Sequence, residues 1–203
     1  GGETVEFDCA PRLNVVKEVL EETDRKVLIF CTYRSSIDTV SSFLEKQGES
    51  VGVIHGGVSA GRRAQLIQAF QNTDTPRVLV LQPQAAAHGI TLTAADTVIF
   101  YGPLTSVELY MQCIARADRK GQTSDKVRVV HIQSSPIEQK MFNAMSTNVS
   151  EHQLLAQIRV ADQALRCADP LGAGPAQLPR VDRALLAVGD PLQGLVAGLP
   201  PLD

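Results

Sequence analysis

Arg116 and Arg119 carry the most pointed chemistry in the sequence, within the stretch QCIARADRKGQ at 112–122. A guanidinium stays charged, is planar and forked, and can grip two phosphate oxygens at once. Spaced by three near the end of a helix, the two side chains leave from one face. Phosphoryl transfer spreads charge over the equatorial oxygens, and an arginine placed there accelerates the reaction by roughly 10³–10⁵. Gly121 reads as the helix stop, with Gln122 at the turn that follows. The plain alternative is an amphipathic helix with solvated arginines and a glycine cap.

Three more stretches suit phosphates and sugars. LQPQAAAHGITLTAAD at 81–96 is rich in small residues, which let backbone amides approach a phosphate or sugar closely. HGGVSAGRR at 55–63 places Gly56-Gly57 where a tight turn is needed, then Ser59 and Arg63 at the start of a helix. IFCTYRSSID at 29–38 passes from an apolar run to polar residues that include Arg34. His55 and His88 also read as structural and loop histidines, and Arg63 as a solvated surface arginine.

The elements that must hold these residues alternate in period. Short β-branched runs predict strands at 26–31, 51–54, 77–81, 97–101 and 126–132. Between them, apolar residues at helical spacing predict helices at 36–47, 62–71, 107–119 and 137–145, the first capped by Ser35 or Ser36. Strands alternating with helices of about ten residues imply an α/β fold with a mostly parallel sheet flanked by helices. Ligands of such sheets sit beyond the carboxyl ends of the strands, which is where Thr32, His55, Gln82 and Gly102 fall. Residues 1–158 read as this domain. Residues 159–203 hold six of the eleven prolines and read as a tail, partly helical or disordered, with a helix continuing over 153–165 and a short one at 182–188.

These motifs, in this order and spacing, resemble the second, C-terminal RecA-like lobe of superfamily 2 nucleic-acid-dependent ATPases, in the form found in the Swi/Snf branch. The stretch 112–122 is similar to motif VI in its Q-x-x-x-R-x-x-R-x-G-Q form, 81–96 to motif V and 29–38 to motif IV. The segment 55–63, with Phe70 beyond it, is similar to the one after the lobe's second strand. Motif V departs at Thr91, where the family usually has Asn. The resemblance covers roughly residues 10–146. It implies that Arg116 and Arg119 act on the γ-phosphate of ATP and that Gly89, Thr91, Gln112 and Gln122 lie near the nucleotide. It also implies that Arg34, Gly56, Gly57, Arg63 and Gln82 line a nucleic-acid backbone, preferably of duplex DNA.

The sequence has no Gly-Lys-Thr/Ser triplet and no Asp-Glu pair, so the loop that holds ATP and the acids that hold Mg²⁺ belong to an N-terminal lobe in the same or another chain. Alone, the chain is expected to be inactive. The competing reading is a non-catalytic module that binds nucleic acid or protein. An unrelated small-molecule enzyme finds no support, as there is no nucleophile elbow and no G-x-G-x-x-G after a strand.

Composition bounds the remaining possibilities. The 203 residues carry a net charge of −3, so any grip on nucleic acid must come from local groups. No apolar run approaches the roughly 18 residues that span a bilayer, and Gly1-Gly2-Glu3-Thr4 lacks the pattern of a secretory leader. Cys9, Cys31, Cys113 and Cys167 are scattered, without metal-ligand spacing, and suit reduced thiols in the cytoplasm or nucleus.

Overall fold

The computed structural model of the chain describes residues 9–86, 89–124, 126–148 and 181–187. The strands are β1 (Lys26–Phe30), β2 (Val51–Ile54), β3 (Val78–Leu81), β4 (Ala95–Phe100), β5 (Val127–Gln133) and β6 (Val181–Ala187). All pair in parallel, in the order β2-β3-β1-β4-β5-β6. Strand side chains alternate between faces, so each β-branched run feeds two cores.

Val27, Ile29, Val78, Val80 and Ile99 pack beneath α1 (Ala10–Glu21) and α2 (Arg34–Lys46). Leu28, Phe30, Leu79, Leu81, Val98 and Phe100 pack against α3 (Ala60–Asn72), α4 (Pro83–Ala86), α5 (Val107–Ala117) and α6 (136–148). The result is three layers, helix on sheet on helix.

Arg12 fastens the layers where β4 and β5 end. Its guanidinium donates to Ser134 Oγ (3.0 Å), Glu138 Oε1 (2.9 Å) and the carbonyls of Tyr101 (2.6 Å) and Ile132 (3.1 Å). Burial alone would raise the Glu138 carboxyl, but the Ser134 N–H and the Arg12 guanidinium together hold it below the ordinary carboxylate value.

Three local features differ from the sequence expectation. First, α2 starts at Arg34, with Tyr33 in the cap position and no side-chain cap, so Ser35 and Ser36 fall inside the first turn. Second, α5 stops at Ala117, not at 119. Gln122 Nε2 donates to the Ala117 carbonyl (3.0 Å) and so satisfies one of the orphan carbonyls at the helix end. Gly121 then takes φ +104°, which side chains rarely adopt. Third, residues 181–187 pair with β5 as a strand, where the sequence reading allows a short helix at 182–188. The helix expected at 153–165, His88 and Cys167 lie outside the described residues.

Candidate functional site

The sheet separates the candidate residues into two groups, one at each end of its strands. The first group stands where β1, β2 and β3 end. β2 delivers His55, which is 9% exposed, to the start of the Gly56-Gly57 turn. His55 Nδ1 accepts the Gly57 N–H (2.9 Å) and faces Arg34 Nη1 at 3.1 Å. Two donors on Nδ1 assign its proton to Nε2, so the ring is neutral. Burial lowers the His55 pKa from its ordinary value, and the Arg34 charge lowers it further.

Gly57 permits this close approach. A Cβ there would lie 3.0 Å from His55 Cε1 and 3.5 Å from Arg34 Nη1. Gln82, just beyond β3, receives the Gly56 N–H on Oε1 at 3.4 Å. Ser59 caps α3 by accepting the Arg62 N–H (3.3 Å). Arg63 follows in the first turn, half-buried, with its Nε lacking a partner. Arg34, Gly56, Gly57 and Gln82 thus form one contiguous surface, with Arg63 on the helix that leaves it.

The second group lies at the amino end of β4. The arginines therefore do not share the edge formed by the other strand-end loops, because α5 runs back across the sheet before it stops. Arg116 sits in the last turn of α5 and directs Nη1 at the Ile90 carbonyl (3.3 Å), while its Nε is buried without a partner. Arg119 lies beyond the helix, exposed, with Nη1 3.5 Å from Thr91 Oγ1. Among the described residues neither guanidinium is paired with a carboxylate. Both converge on one loop from different backbone settings, rather than from a shared helical face.

That loop is held firmly. The Leu92 N–H donates to the Arg116 carbonyl (2.8 Å), and Gln122 Nε2 takes the Ala95 carbonyl (2.8 Å). Gly89 is exposed with φ +57°. Gln112 is not drawn into the group; its amide donates to Glu108 Oε1, one helical turn back (3.1 Å). Gln122 spends its amide on backbone carbonyls and so positions this turn.

Two residues outside the expected set are tied into these groups by hydrogen bonds. His55 organises the first group, and the signal was its place directly before two glycines. Gln71 joins α3 to the arginine loop by donating to Thr93 Oγ1 (3.2 Å) and accepting the Ala94 N–H (2.9 Å). Nothing in its local sequence announces that contact.

No group of three or more His, Cys, Asp or Glu suited to a metal occurs among the described residues. Cys9, Cys31 and Cys113 form no disulfide among the described residues, and burial pushes Cys31 and Cys113 up to about 12, away from nucleophilic use. No helix among the described residues is long and apolar enough to cross a membrane.

A parallel sheet flanked by helices, with arginines gathered over a small-residue loop, defines a RecA-like lobe. A family model described as helicase conserved C-terminal domain matches residues 11–121, more than half of the chain, and the chain belongs to that family. Its relatives include Swi/Snf-type proteins. It is 28% identical over 156 residues to "Helicase SWR1" of Mycosarcoma maydis, covering 76% of this chain and 8% of that protein. It is 34% identical over 149 residues to a "SWI/SNF-related matrix-associated actin-dependent regulator of chromatin subfamily A-like protein 1 homolog" of Caenorhabditis elegans, covering 72% of this chain and 21% of that one. In fold it is similar to the C-terminal part of the Fun30 ATPase domain, with a TM-score of 0.61 and 24% identity, covering 65% of this chain and 44% of that chain. The chain therefore spans less than a quarter of the length of these curated relatives.

Proposed function

We propose that this chain is the second lobe of an ATP-driven duplex-DNA translocase. In this reading it supplies arginine fingers and half of the DNA track. The observation that carries the reading is the convergence of Arg116 and Arg119 on the Ile90–Thr91 segment without carboxylate partners. A phosphate fits there, because the exposed Arg119 fork offers donors that no carboxylate occupies.

The γ-phosphate of ATP would be presented by a lobe 1 that also holds Mg²⁺, which neutralises charge on the phosphates. Arg116 and Arg119 stabilise charge on the transferring group, and Gly89 and Thr91 approach the nucleotide sugar. Gln112 is placed near the nucleotide only if it leaves Glu108, whereas Gln122 acts there by fixing the loop. Arg34, Gly56, Gly57, Arg63 and Gln82 grip the DNA backbone at the other end of the sheet. Closure of the two lobes moves one grip past the other. The setting is intracellular, in the cytoplasm or nucleus, wherever the DNA is kept. The relative named for chromatin supports this assignment.

The test joins this lobe to a lobe 1 that carries a phosphate-binding loop and measures ATP hydrolysis with duplex DNA, duplex RNA and neither. DNA-stimulated hydrolysis is expected, and Arg119→Ala should reduce kcat by about 10³ or more with ATP binding nearly unchanged. Full activity in that variant rejects the finger assignment. Salt-dependent DNA binding without any hydrolysis supports the module reading instead.

A further inference from the structure

α3 joins the two groups of site residues directly. Its first turn follows the Gly56-Gly57 turn at the carboxyl ends of the strands, and Ser59 caps it there. Its last turn reaches the amino end of β4, where Gln71 grips Thr93 and Ala94. Thirteen residues make a rod of about 20 Å. Phe70 is fully buried and Leu66 and Ile67 pack on the same core, so the rod lies along the sheet as a stiff body. The two bonds from Gln71 fall two and three residues from Thr91, the contact of Arg119. On the opposite side, Leu92 is bonded to the Arg116 carbonyl. A shift of α3 along its axis therefore reaches the arginine loop through one side chain.

We propose that Gln71 is a positioning residue that couples nucleic acid bound at residues 55–63 to the arginine loop at 91–96, with α3 as the strut. This rests on the proposed DNA track. It adds a second route between the groups, distinct from the covalent path through residues 82–90. The chemistry is specific: one amide oxygen accepts a backbone N–H, and one amide nitrogen donates to a hydroxyl. A methionine at 71 keeps length and helix propensity but makes neither bond. A glutamate accepts the Ala94 N–H and can take the Thr93 hydroxyl proton as a hydrogen bond, so it preserves both contacts.

The test is site-resolved amide exchange of the chain at low salt, with and without a short DNA duplex. In the wild type, duplex should slow exchange at 55–63 and also at 91–96. In Gln71→Met, slowing at 55–63 should persist, slowing at 91–96 should vanish, and the Ala94 amide should exchange roughly tenfold faster without DNA. Gln71→Glu should restore transmission, which ties it to the two hydrogen bonds and not to the bulk of the side chain. Transmission in Gln71→Met equal to the wild type overturns the inference, as does a wild type that protects 55–63 with no change at 91–96. If duplex changes nothing at 55–63 in the wild type, the DNA track itself is wrong and the coupling falls with it.

Discussion

His55 is useful in this lobe because it is uncharged. Its Nδ1 must keep a lone pair for the Gly57 N–H and the Arg34 guanidinium, and protonation there would turn an acceptor into a donor facing two donors. Burial and then Arg34 depress its pKa below the ordinary value of 6.5, against a smaller opposing pull from Asp38. In the unfolded chain the ring binds its proton more readily than in the fold. Its contribution to stability is therefore fully present above about 6.5 and is lost as pH falls through the folded value. An NMR titration should show the His55 ring changing charge below 6.5, with the Gly57 amide shifting at the same midpoint. A ring that titrates at or above its ordinary value would contradict the tautomer and the turn built on it. Arg34 has a second tie, to Asp38 at 3.6 Å, but both partners are largely exposed and that pair contributes little.

As the proposed strut, α3 is more than a connector between β2 and β3, and its anchoring can be tested by itself. Phe70 fills the core beneath the last turn, so Phe70→Ala should cost about 3–5 kcal/mol in chemical denaturation. Ser59→Ala, which loses only the cap to Arg62, should cost about 1 kcal/mol. Equal losses would mean that α3 is held by its ends and not by its apolar face. The strands and most helices were legible because each depends on local pattern. VLIF at 27–30 can be buried on both faces only in a central strand, and Leu66, Ile67 and Phe70 share one side only on a helix. The exact end of α5 was not legible, because it depends on Gln122 folding back to the Ala117 carbonyl. Pairing of residues 181–187 with β5 is also a long-range event with no local signature. Motif order pointed to the stretches that form the two groups, but not to Gln71 and not to their division between the two ends of the sheet. The carboxyl-end rule places Arg34, the Gly56-Gly57 turn and Gln82, yet it says nothing of arginines at the close of a returning helix.

Charge decides how such a lobe can hold DNA. With 19 Lys and Arg against 22 Asp and Glu, the net charge of −3 gives no general attraction for a polyanion. Arg25, Arg77 and Arg128 are further committed to Asp96, Glu49 and Glu22, away from the proposed track. On the proposed track, binding by this lobe rests on few phosphate contacts, assigned there to Arg34 and Arg63. Each neutralised phosphate contributes about 0.9 to the slope of log K against log salt, so the isolated lobe should show a slope near −2. Arg63→Ala should bring that slope to about −1 and weaken binding to all duplex sequences alike, because a phosphate contact carries no base information. A wild-type slope of −5 or steeper would require more cations than Arg34 and Arg63, and would move the track elsewhere. So shallow a dependence would fit the proposed two-lobe reading, in which two phosphate contacts on this lobe position a duplex and a second grip on the opposite lobe holds it as the first lets go.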